Sequence, residues 1–212
     1  MIKVFLLGAG NHADEVTEYL SSFSDEYIIE GYILDDNYFS SNSLTNKNII
    51  SLSDFLNSNN PNSNLKILGA IGDVKRKEII EILHQQGFNF ISILHPKNYV
   101  SQSTVIGNGV CIAPNCSINF NVEIGNHVIV NANCSISHGS KIGDFTTISP
   151  GVTIAGDVTI AESVFIGIGA SIIPNLKIGK NSFIAAGACV TKDVPENTLV
   201  AGVPARIIRQ LS

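Results

Sequence analysis

The chain has 212 residues, of which 44% are hydrophobic, and it carries a formal net charge of −5. This length accommodates one or two domains, and the hydrophobic share is ample for a packed core. The negative charge argues against nucleic acid or an acidic membrane surface as a partner, since both attract proteins with excess positive charge. No hydrophobic run approaches the length of a membrane span and the first residues do not resemble a signal peptide, so we expect a cytoplasmic protein without a membrane partner.

Residues 1–97 alternate between strand-like and helical patterns. Strands are predicted at residues 2–7, 27–34, 65–71 and 88–94. Helices are predicted at residues 14–23, 52–56 and 75–86. A loop rich in Ser and Asn is predicted at residues 39–48. Strands that alternate with helices form parallel sheets covered by helices. We therefore predict a small Rossmann-like parallel α/β domain over residues 1–97.

A period of six residues dominates the next part of the chain. Valine or isoleucine occupies every sixth position from Val100 to Val190. This period is neither helical nor that of an ordinary strand; it is the hexapeptide signature of a parallel β-helix. Three hexapeptides form one triangular coil of about 18 residues, and five coils at a spacing of about 4.8 Å make a prism roughly 24 Å tall. Residues 98–192 are predicted to form this prism, and residues 193–212 to cap its exposed end.

The corners of the prism support this prediction independently. One position of each repeat, three residues after the aliphatic one, is mostly Gly, Asn or Asp, the types that best tolerate the left-handed backbone of a tight corner. His127, Phe145 and Ser163 hold the same position although their types do not favour it. The predicted corner residues are Gly109, Asn115, Asn121, Asn133, Gly139, Gly151, Asp157, Gly169, Asn175, Asn181, Gly187 and Asp193.

The four cysteines fit packing better than a disulfide or a metal site. Cys116 and Cys134 hold equivalent positions one coil apart, and Cys111 and Cys189 lie beside repeat aliphatics. We therefore expect reduced, packed thiols.

The turn after the first predicted strand is suited to a phosphate. Gly8, Gly10 and Ala13 follow the short fingerprint Gly-x-Gly-x-x-Ala, in which main-chain N–H groups and a helix N-terminus face an anion. A nucleotide-sugar phosphate is the favoured ligand. A dinucleotide and a purely structural turn are the alternatives, although the domain has too few strands for two full mononucleotide-binding halves.

Polar residues also follow the next two predicted strands. Asp35 and Asp36 come after the second strand, and Gly72 and Asp73 come after the third. Ligands of open α/β sheets bind at the carboxyl ends of the strands. Each pair can also be an ordinary polar turn, but the coincidence of three strand ends favours a ligand site.

The repeats contain two histidines, His127 and His138, and imidazole suits proton transfer near neutral pH. His127 holds a left-handed corner position, which favours a structural or solvated role. His138 lies at a corner with Gly156 one coil above it, which leaves room for a substrate. Asn131 lies on a different corner, on the order of 15–20 Å away along one edge. If Asn131 and His138 serve one active site, they meet between subunits, and a threefold trimer of parallel prisms would bring them together.

Six motifs extend over nearly the whole chain: Gly8-Ala9-Gly10-Asn11-His12, Ile33-Leu34-Asp35-Asp36, Ala70-Ile71-Gly72-Asp73, Ile93-Leu94-His95-Pro96, Asn131 with His138, and Gly202-Val203-Pro204-Ala205. Their combination resembles bacterial sugar O-acyltransferases, in particular the nucleotide-linked 4-amino-sugar N-acetyltransferases and the sialic acid O-acetyltransferases. The resemblance implies a left-handed β-helix, a homotrimer, and acetyl-CoA as a cosubstrate bound in the cleft between neighbouring prisms.

The resemblance also implies roles for individual residues. The nucleotide sugar would be bound by Gly10, Asn11, His12, Asp35, Asp36 and Gly72. Acetyl-CoA would be contacted by Thr147, Ile168 and Ala186. The general base would be His138, and Asn131 would be an active-site asparagine. Three positions depart from the pattern of the relatives. Gly139 follows the predicted catalytic histidine at a position where the relatives carry Asp or Glu. Thr147 replaces a residue that is often histidine in the relatives, and Asn11 replaces one that is usually glycine.

The implied reaction is acetyl transfer from acetyl-CoA to the amino group of a UDP- or dTDP-linked 4-amino-dideoxy sugar, a step in making surface-glycan precursors such as those of O-antigen. His138 would take the proton of the attacking amine, without a metal or a covalent enzyme intermediate. Three alternatives remain open: O-acetylation of a sugar such as sialic acid, a γ-carbonic-anhydrase-like metal enzyme, which needs three converging histidines, and a noncatalytic nucleotide-binding protein.

Overall fold

The computed structural model describes residues 1–23, 26–39, 47–61 and 64–211. Most of the loop predicted at residues 39–48 lies outside the described residues, at positions 40–46. The chain divides into two compact units, Met1–Ser92 and Ile93–Ser212. Among the described helices, none is long and apolar enough to cross a membrane.

The described part of the N-terminal unit is a parallel sheet with helices between its strands. Its elements are β1 (Ile2–Leu7), α1 (Asn11–Ser21), β2 (Tyr27–Leu34), α2 (Asp36–Phe39), β3 (Ile49–Ser51), α3 (Leu52–Ser58), β4 (Leu65–Gly69) and α4 (Arg76–Gln85). The strands pair in the order β3-β2-β1-β4, and every pair is parallel. The predicted Rossmann-like α/β domain is confirmed.

The core of this unit follows from the hydrophobic pattern of its elements. Strand β1 buries Leu6 and Leu7 completely, on opposite faces, because helices cover both sides of a parallel sheet. Helix α1 buries Ala13, Val16 and Leu20, which share one helical face through their spacing of three and four residues.

Two parts of this unit differ from the sequence prediction. Residues 88–94 do not form one strand: Phe90 makes a single bridge to Ile67, whereas Ile93 and Leu94 belong to the second unit and pair there with the strand at Cys111. The prediction of one strand was wrong because this apolar run is shared between two separate sheets. Strand β3 and helix α2 were not predicted, since both are too short to show a period.

The second unit is a stack of very short strands joined by corners. They are β5 (Ile93–Leu94), β6 (Tyr99–Val100), β7 (Val105–Ile106), β8 (Cys111–Ile112), β9 (Ser117–Ile118), β10 (Glu123–Ile124), β11 (Ile129–Val130), β12 (Ser135–Ile136), β13 (Lys141–Ile142), β14 (Thr147–Ile148), β15 (Thr153–Ile154), β16 (Thr159–Ile160), β17 (Phe165–Ile166), β18 (Ser171–Ile172), β19 (Lys177–Ile178), β20 (Phe183–Ile184), β21 (Cys189–Val190), β22 (Thr198–Ala201) and β23 (Arg206–Gln210).

These strands form three sheets, one on each face of a prism. One sheet contains β7, β10, β13, β16 and β19, a second β6, β9, β12, β15, β18 and β21, and the third β5, β8, β11, β14, β17, β20, β22 and β23. Ile136 pairs with Ile118 below and Ile154 above, so equivalent residues of successive coils are 18 apart. All three isoleucines are fully buried, as the six-residue period predicts. The parallel β-helix is confirmed.

The corners adopt the predicted left-handed conformation. Positive φ angles occur at the Gly, Asn and Asp positions from Gly109 to Gly187, and also at His127, Phe145 and Ser163. The prediction was wrong at Asp193, whose φ is not positive. There the repeat ends, the carboxylate of Asp193 accepts a hydrogen bond from the N–H of Lys177, and the chain turns into the cap.

The last residues close one end of the prism. Strand β22 continues the third sheet in parallel with β20, and β23 returns antiparallel to β22. Val194 and Val200 are buried in the prism core. This segment therefore covers core side chains that the last coil would otherwise expose to water.

Asn175 allows a clean test of the left-handed corners, because its side chain is exposed and its φ is 63°. Replacing Asn175 by alanine should lower the free energy of unfolding by about 1–2 kcal/mol, since a Cβ without a local polar partner disfavours this conformation. Asn175→Gly is the matched control and should be nearly as stable as the wild type. Urea unfolding of the three proteins measures the difference, and equal stability of the alanine variant would contradict the assignment.

Candidate active site

The first turn of the N-terminal unit requires glycine at one position. Gly8 has a φ of 115°, and a Cβ there would lie 2.8 Å from the carbonyl oxygen of Ala70. The N–H of Gly8 donates to the carbonyl of Ile33, which ties the end of β1 to β2. The main chain therefore comes close to its neighbours at this turn, and only glycine fits.

Helix α1 begins at this turn and leaves main-chain donors free. Gly10 is the N-cap, in extended conformation, and its carbonyl accepts hydrogen bonds from the N–H groups of Ala13 and Asp14. The N–H groups of Asn11 and His12 have no hydrogen-bond partner within residues 1–23, 26–39, 47–61 and 64–211. Two free donors at the positive end of a helix are suited to an anion such as a phosphate.

The imidazole of His12 lies mostly buried beside this helix start. Its Nδ1 is 3.4 Å from Oε2 of Glu15, whereas its Nε2 is buried and has no partner among the described residues. Burial lowers the pKa of His12 and outweighs the opposite influence of Glu15. The ring is therefore neutral near pH 7.

A cavity of about 400 Å³ opens where strands β1, β2 and β4 end. Of the six residues predicted to bind a nucleotide sugar, Asp35 lines this cavity. The described residues that line it do not include the other five, which are Gly10, Asn11, His12, Asp36 and Gly72. The lining residues are Gly8, Ala9, Leu34, Asp35, Asn37, Tyr38, Ile71, Asp73, Lys75, Arg76, Glu78 and Ile79.

The two adjacent aspartates have different surroundings. Oδ1 of Asp35 accepts hydrogen bonds from the main-chain N–H and the side-chain amide of Asn37, both at 2.9 Å. The carboxylate of Asp36 points to helix α3, where the hydroxyl of Ser53 donates to it at 2.7 Å. This hydrogen bond lowers the pKa of Asp36. Asp36 thus joins α2 to α3, while Asp35 faces the cavity.

Sequence reasoning missed Arg76, the charged residue that is most buried in this unit. Its side chain is 1% exposed, lines the cavity, and donates from Nη1 to the carbonyl of Asp73 at 3.0 Å. A buried guanidinium is a strong donor to phosphate or carboxylate groups. Its position three residues after Asp73, at the strand end, was the available signal, but nothing in the sequence indicates that the side chain is buried.

In the prism, His138 lies on the surface at a corner, with 65% of its side chain exposed. A Cβ at Gly156, one coil above, would lie 2.7 Å from Nε2 of this imidazole. The space that Gly156 leaves is therefore occupied by the His138 ring itself. The expectation that this space stands open for a substrate was wrong, although the ring remains accessible from outside.

Asn131 has one end of its side chain fixed. Its Nδ2 donates to the carbonyl of Ile148 at 2.9 Å, while its Oδ1 accepts no hydrogen bond from the described residues. The amide is thus held in one orientation with its oxygen available. Asn131 and His138 lie on successive corners of the same coil, as predicted.

The three residues predicted to contact acetyl-CoA differ in exposure. Thr147 is buried, with 2% exposure, whereas Ile168 and Ala186 are exposed and occupy the same corner of successive coils. The main-chain N–H groups of Ile168 and Ala186 have no partner in the described part of the chain. A Cβ at Gly169 or Gly187, the next residue in each case, would meet nothing within 4 Å. This corner therefore exposes main-chain donors to a ligand.

His127 has a structural environment. Its ring is 3% exposed and stacks on Phe145 with ring centroids 5.1 Å apart. A Cβ at Gly109 would collide with the imidazole from the other side. The structural role is confirmed, whereas the solvated alternative was wrong. Among the described residues, no three His, Cys, Asp or Glu side chains form a group that could hold a metal ion.

Several solved structures resemble the chain over nearly its whole length, among them the following three. PerB from Caulobacter crescentus, in complex with CoA and GDP-perosamine, is 27% identical with a TM-score of 0.86, covering 98% of this chain and 97% of that chain. The acetyltransferase domain of PglB from Neisseria gonorrhoeae, in complex with acetyl coenzyme A, is 28% identical with a TM-score of 0.85, covering 98% and 99%. WeeI from Acinetobacter baumannii is 26% identical with a TM-score of 0.87, covering 98% and 100%. No curated protein matches the chain.

Two family profiles match the chain in the same order as its two units. The PglD N-terminal domain matches residues 3–81, and the bacterial transferase hexapeptide (six repeats) matches residues 121–156 and 157–192. Both domains of the chain therefore resemble those of the bacterial sugar acyltransferases. The predicted resemblance, the acyltransferase class and the left-handed β-helix are therefore confirmed.

The neutral state of His12 has a consequence for stability. A folded-state pKa below the ordinary value means that the unfolded chain takes up the proton more readily, so stability should fall as the pH drops through about 6.5. His12→Gln should therefore lose less stability than the wild type between about pH 7.5 and about pH 5.5. His84 and His95, whose pKa values burial also lowers, remain in both proteins and leave part of the slope. Urea unfolding at the two pH values tests this, and identical slopes would contradict it.

Proposed function

We propose that the chain transfers the acetyl group of acetyl-CoA to the 4-amino group of a nucleotide-linked 4-amino-dideoxy sugar. The observation that carries this proposal is the similarity, over 98% of the chain, to PerB in complex with CoA and GDP-perosamine. The product would be a cytoplasmic precursor of a bacterial surface glycan such as O-antigen. Residues 1–97 bind the nucleotide sugar, residues 98–192 carry acyl transfer, and residues 193–212 cap the prism.

The N-terminal unit supports this assignment with a site for a phosphorylated ligand. The free N–H groups of Asn11 and His12 and the buried guanidinium of Arg76 are donors suited to phosphate oxygens. Asp35 presents a carboxylate to the cavity and can accept hydrogen bonds from a ribose hydroxyl or a base N–H. Such a site holds the nucleotide while the sugar extends out of it.

His138 carries the proton transfer in this proposal. The neutral 4-amino nitrogen attacks the thioester carbonyl, and its proton passes to the imidazole. The carbon–sulfur bond then breaks, so that the amide and the CoA thiolate are formed, and the proton on the imidazole can return to the thiolate. Both substrates are bound together, so proximity removes much of the barrier and no covalent enzyme intermediate is needed.

Acetyl-CoA follows the exposed corner at Ile168 and Ala186. Their main-chain N–H groups are free to donate to carbonyl oxygens of the pantetheine arm. Lys192 and Arg206 lie at the end of the prism and line a second cavity of about 390 Å³ there. Their positive charges suit the phosphates of CoA.

A homotrimer completes each active site. Asn131 and His138 lie on successive corners of one coil, and a substrate that contacts both has to sit between two prisms. A threefold arrangement of parallel prisms brings different corners of neighbouring chains together. In this arrangement Oδ1 of Asn131 from one subunit faces the substrate held by the next, and light scattering of the purified protein reports the trimer.

Replacing His138 by asparagine should lower kcat by about 10²–10⁴-fold, because the amide cannot accept the amine proton. The assay is release of free thiol from acetyl-CoA with a panel of UDP-, dTDP- and GDP-linked 4-amino sugars. His84→Gln, which replaces a histidine of the N-terminal unit, is the matched control and should keep the wild-type rate. An unchanged rate for His138→Asn would remove His138 from the mechanism, and turnover of a sialic acid alone would favour O-acetylation.

Asp35→Ala should raise KM for the nucleotide sugar by about tenfold or more and leave KM for acetyl-CoA unchanged, because only the acceptor contacts the cavity. Asp54→Ala, on helix α3 and outside the cavity wall, is the control. Equal effects on both KM values, or on neither, would place the nucleotide elsewhere. Specific binding of NAD in a titration would favour a dinucleotide site.

A further inference from the structure

The corner that carries His138 contains a carboxylate from the next coil. Oδ2 of Asp157 lies 3.7 Å from Nδ1 of His138. Asp157 comes 18 residues after Gly139, so it stacks directly above that glycine, and its main-chain N–H donates to the carbonyl of His138 at 2.9 Å. The two residues are therefore held together by the backbone as well as by their side chains.

Gly139 is what makes room for this carboxylate. A Cβ at Gly139 would collide with Oδ1 of Asp157. Any larger residue directly after His138 would thus push the Asp157 side chain away. Gly156 acts in the same way on the ring, since a Cβ there would collide with the imidazole. The two glycines together place the ring and the carboxylate side by side.

We propose that Asp157 is the positioning residue for the general base His138. A carboxylate beside Nδ1 favours the tautomer with the proton on Nδ1 and leaves the lone pair of Nε2 free to accept the amine proton. The same carboxylate stabilises the imidazolium that forms during transfer. The distance of 3.7 Å is longer than a hydrogen bond, and catalytic hydrogen bonds are often this long in proteins without bound substrate.

No other ionic side chain competes for His138 in the described part of the prism. Lys141, three residues further along the same coil, is paired with Glu123 at 2.8 Å. Phe120 lies one coil below His138 and Asn175 lies one coil above Asp157, and neither carries a charge. Asp157 is therefore the charged group that acts on this imidazole.

The test replaces Asp157 by glycine, which suits its φ of 59° and leaves the corner intact. Asp157→Gly should lower kcat by about tenfold or more while both KM values change by less than about twofold. Adding Gly139→Asp to this variant puts a carboxylate next to His138 without the collision, and should restore most of the lost rate. Asn175→Gly, on the same corner one coil further, is the control and should leave kcat unchanged. An unchanged kcat in Asp157→Gly, or no rescue in the double variant, would overturn the proposal.

Nitrogen NMR of the labelled His138 ring gives a readout that does not depend on activity. In the wild type the neutral ring should carry its proton on Nδ1, and in Asp157→Gly the proton should move towards Nε2. Identical ring-nitrogen shifts in the two proteins would overturn the proposal. This inference rests on the proposed acetyl transfer, but different results contradict the inference and the proposed function. A wild-type protein that acetylates no amino sugar contradicts the proposed function. The ring-nitrogen shifts still decide whether Asp157 contacts His138.

Discussion

The hydrogen bonds between stacked coils fix the position of every side chain in the prism. Each strand donates to the strand one coil above it, so residues 18 apart lie one over the other along the whole stack. A residue cannot move to another corner without breaking this pairing for its entire coil. The catalytic chemistry of the prism therefore depends on which residue types the sequence places in one vertical column, and the left-handed corners keep the columns aligned.

This constraint explains which parts of the fold were predictable from the sequence. The prism repeats one short pattern many times, so even His127 and Phe145, whose types do not favour a left-handed corner, could be assigned to corners. The N-terminal unit has no such redundancy. Its short elements β3 and α2 show no period, and the apolar run at residues 88–94 gives no sign that two different sheets share it. The location of the glycine turn and of Asp35 was predictable, because both follow parallel strands and such strands end at one edge of the sheet.

The candidate site was less predictable, for two physical reasons. Arg76 is buried at a cavity whose wall also contains Gly8 and Leu34, which are distant in sequence, and no local pattern encodes this burial. The carboxylate near His138 was not predicted, because Asp157 lies one coil above Gly139 and its contact with His138 crosses from one column to the next. In a solenoid the chemical neighbours of a residue include residues one coil away as well as the next residues in the chain.

The two histidines of the prism show how the column decides the role of a side chain. His127 has a glycine below it and Phe145 above it, so its ring is enclosed between neighbours and can only pack. His138 has Gly156 above it and the carboxylate of Asp157 beside that glycine. Its ring therefore stays exposed and lies close to a negative charge. Both histidines lie at corners of one stack, and their own residue type does not distinguish them. Because the backbone holds these columns rigidly, an imidazole and a carboxylate that meet in the free protein need little reorganisation when the substrates arrive, which is the property that efficient proton transfer requires.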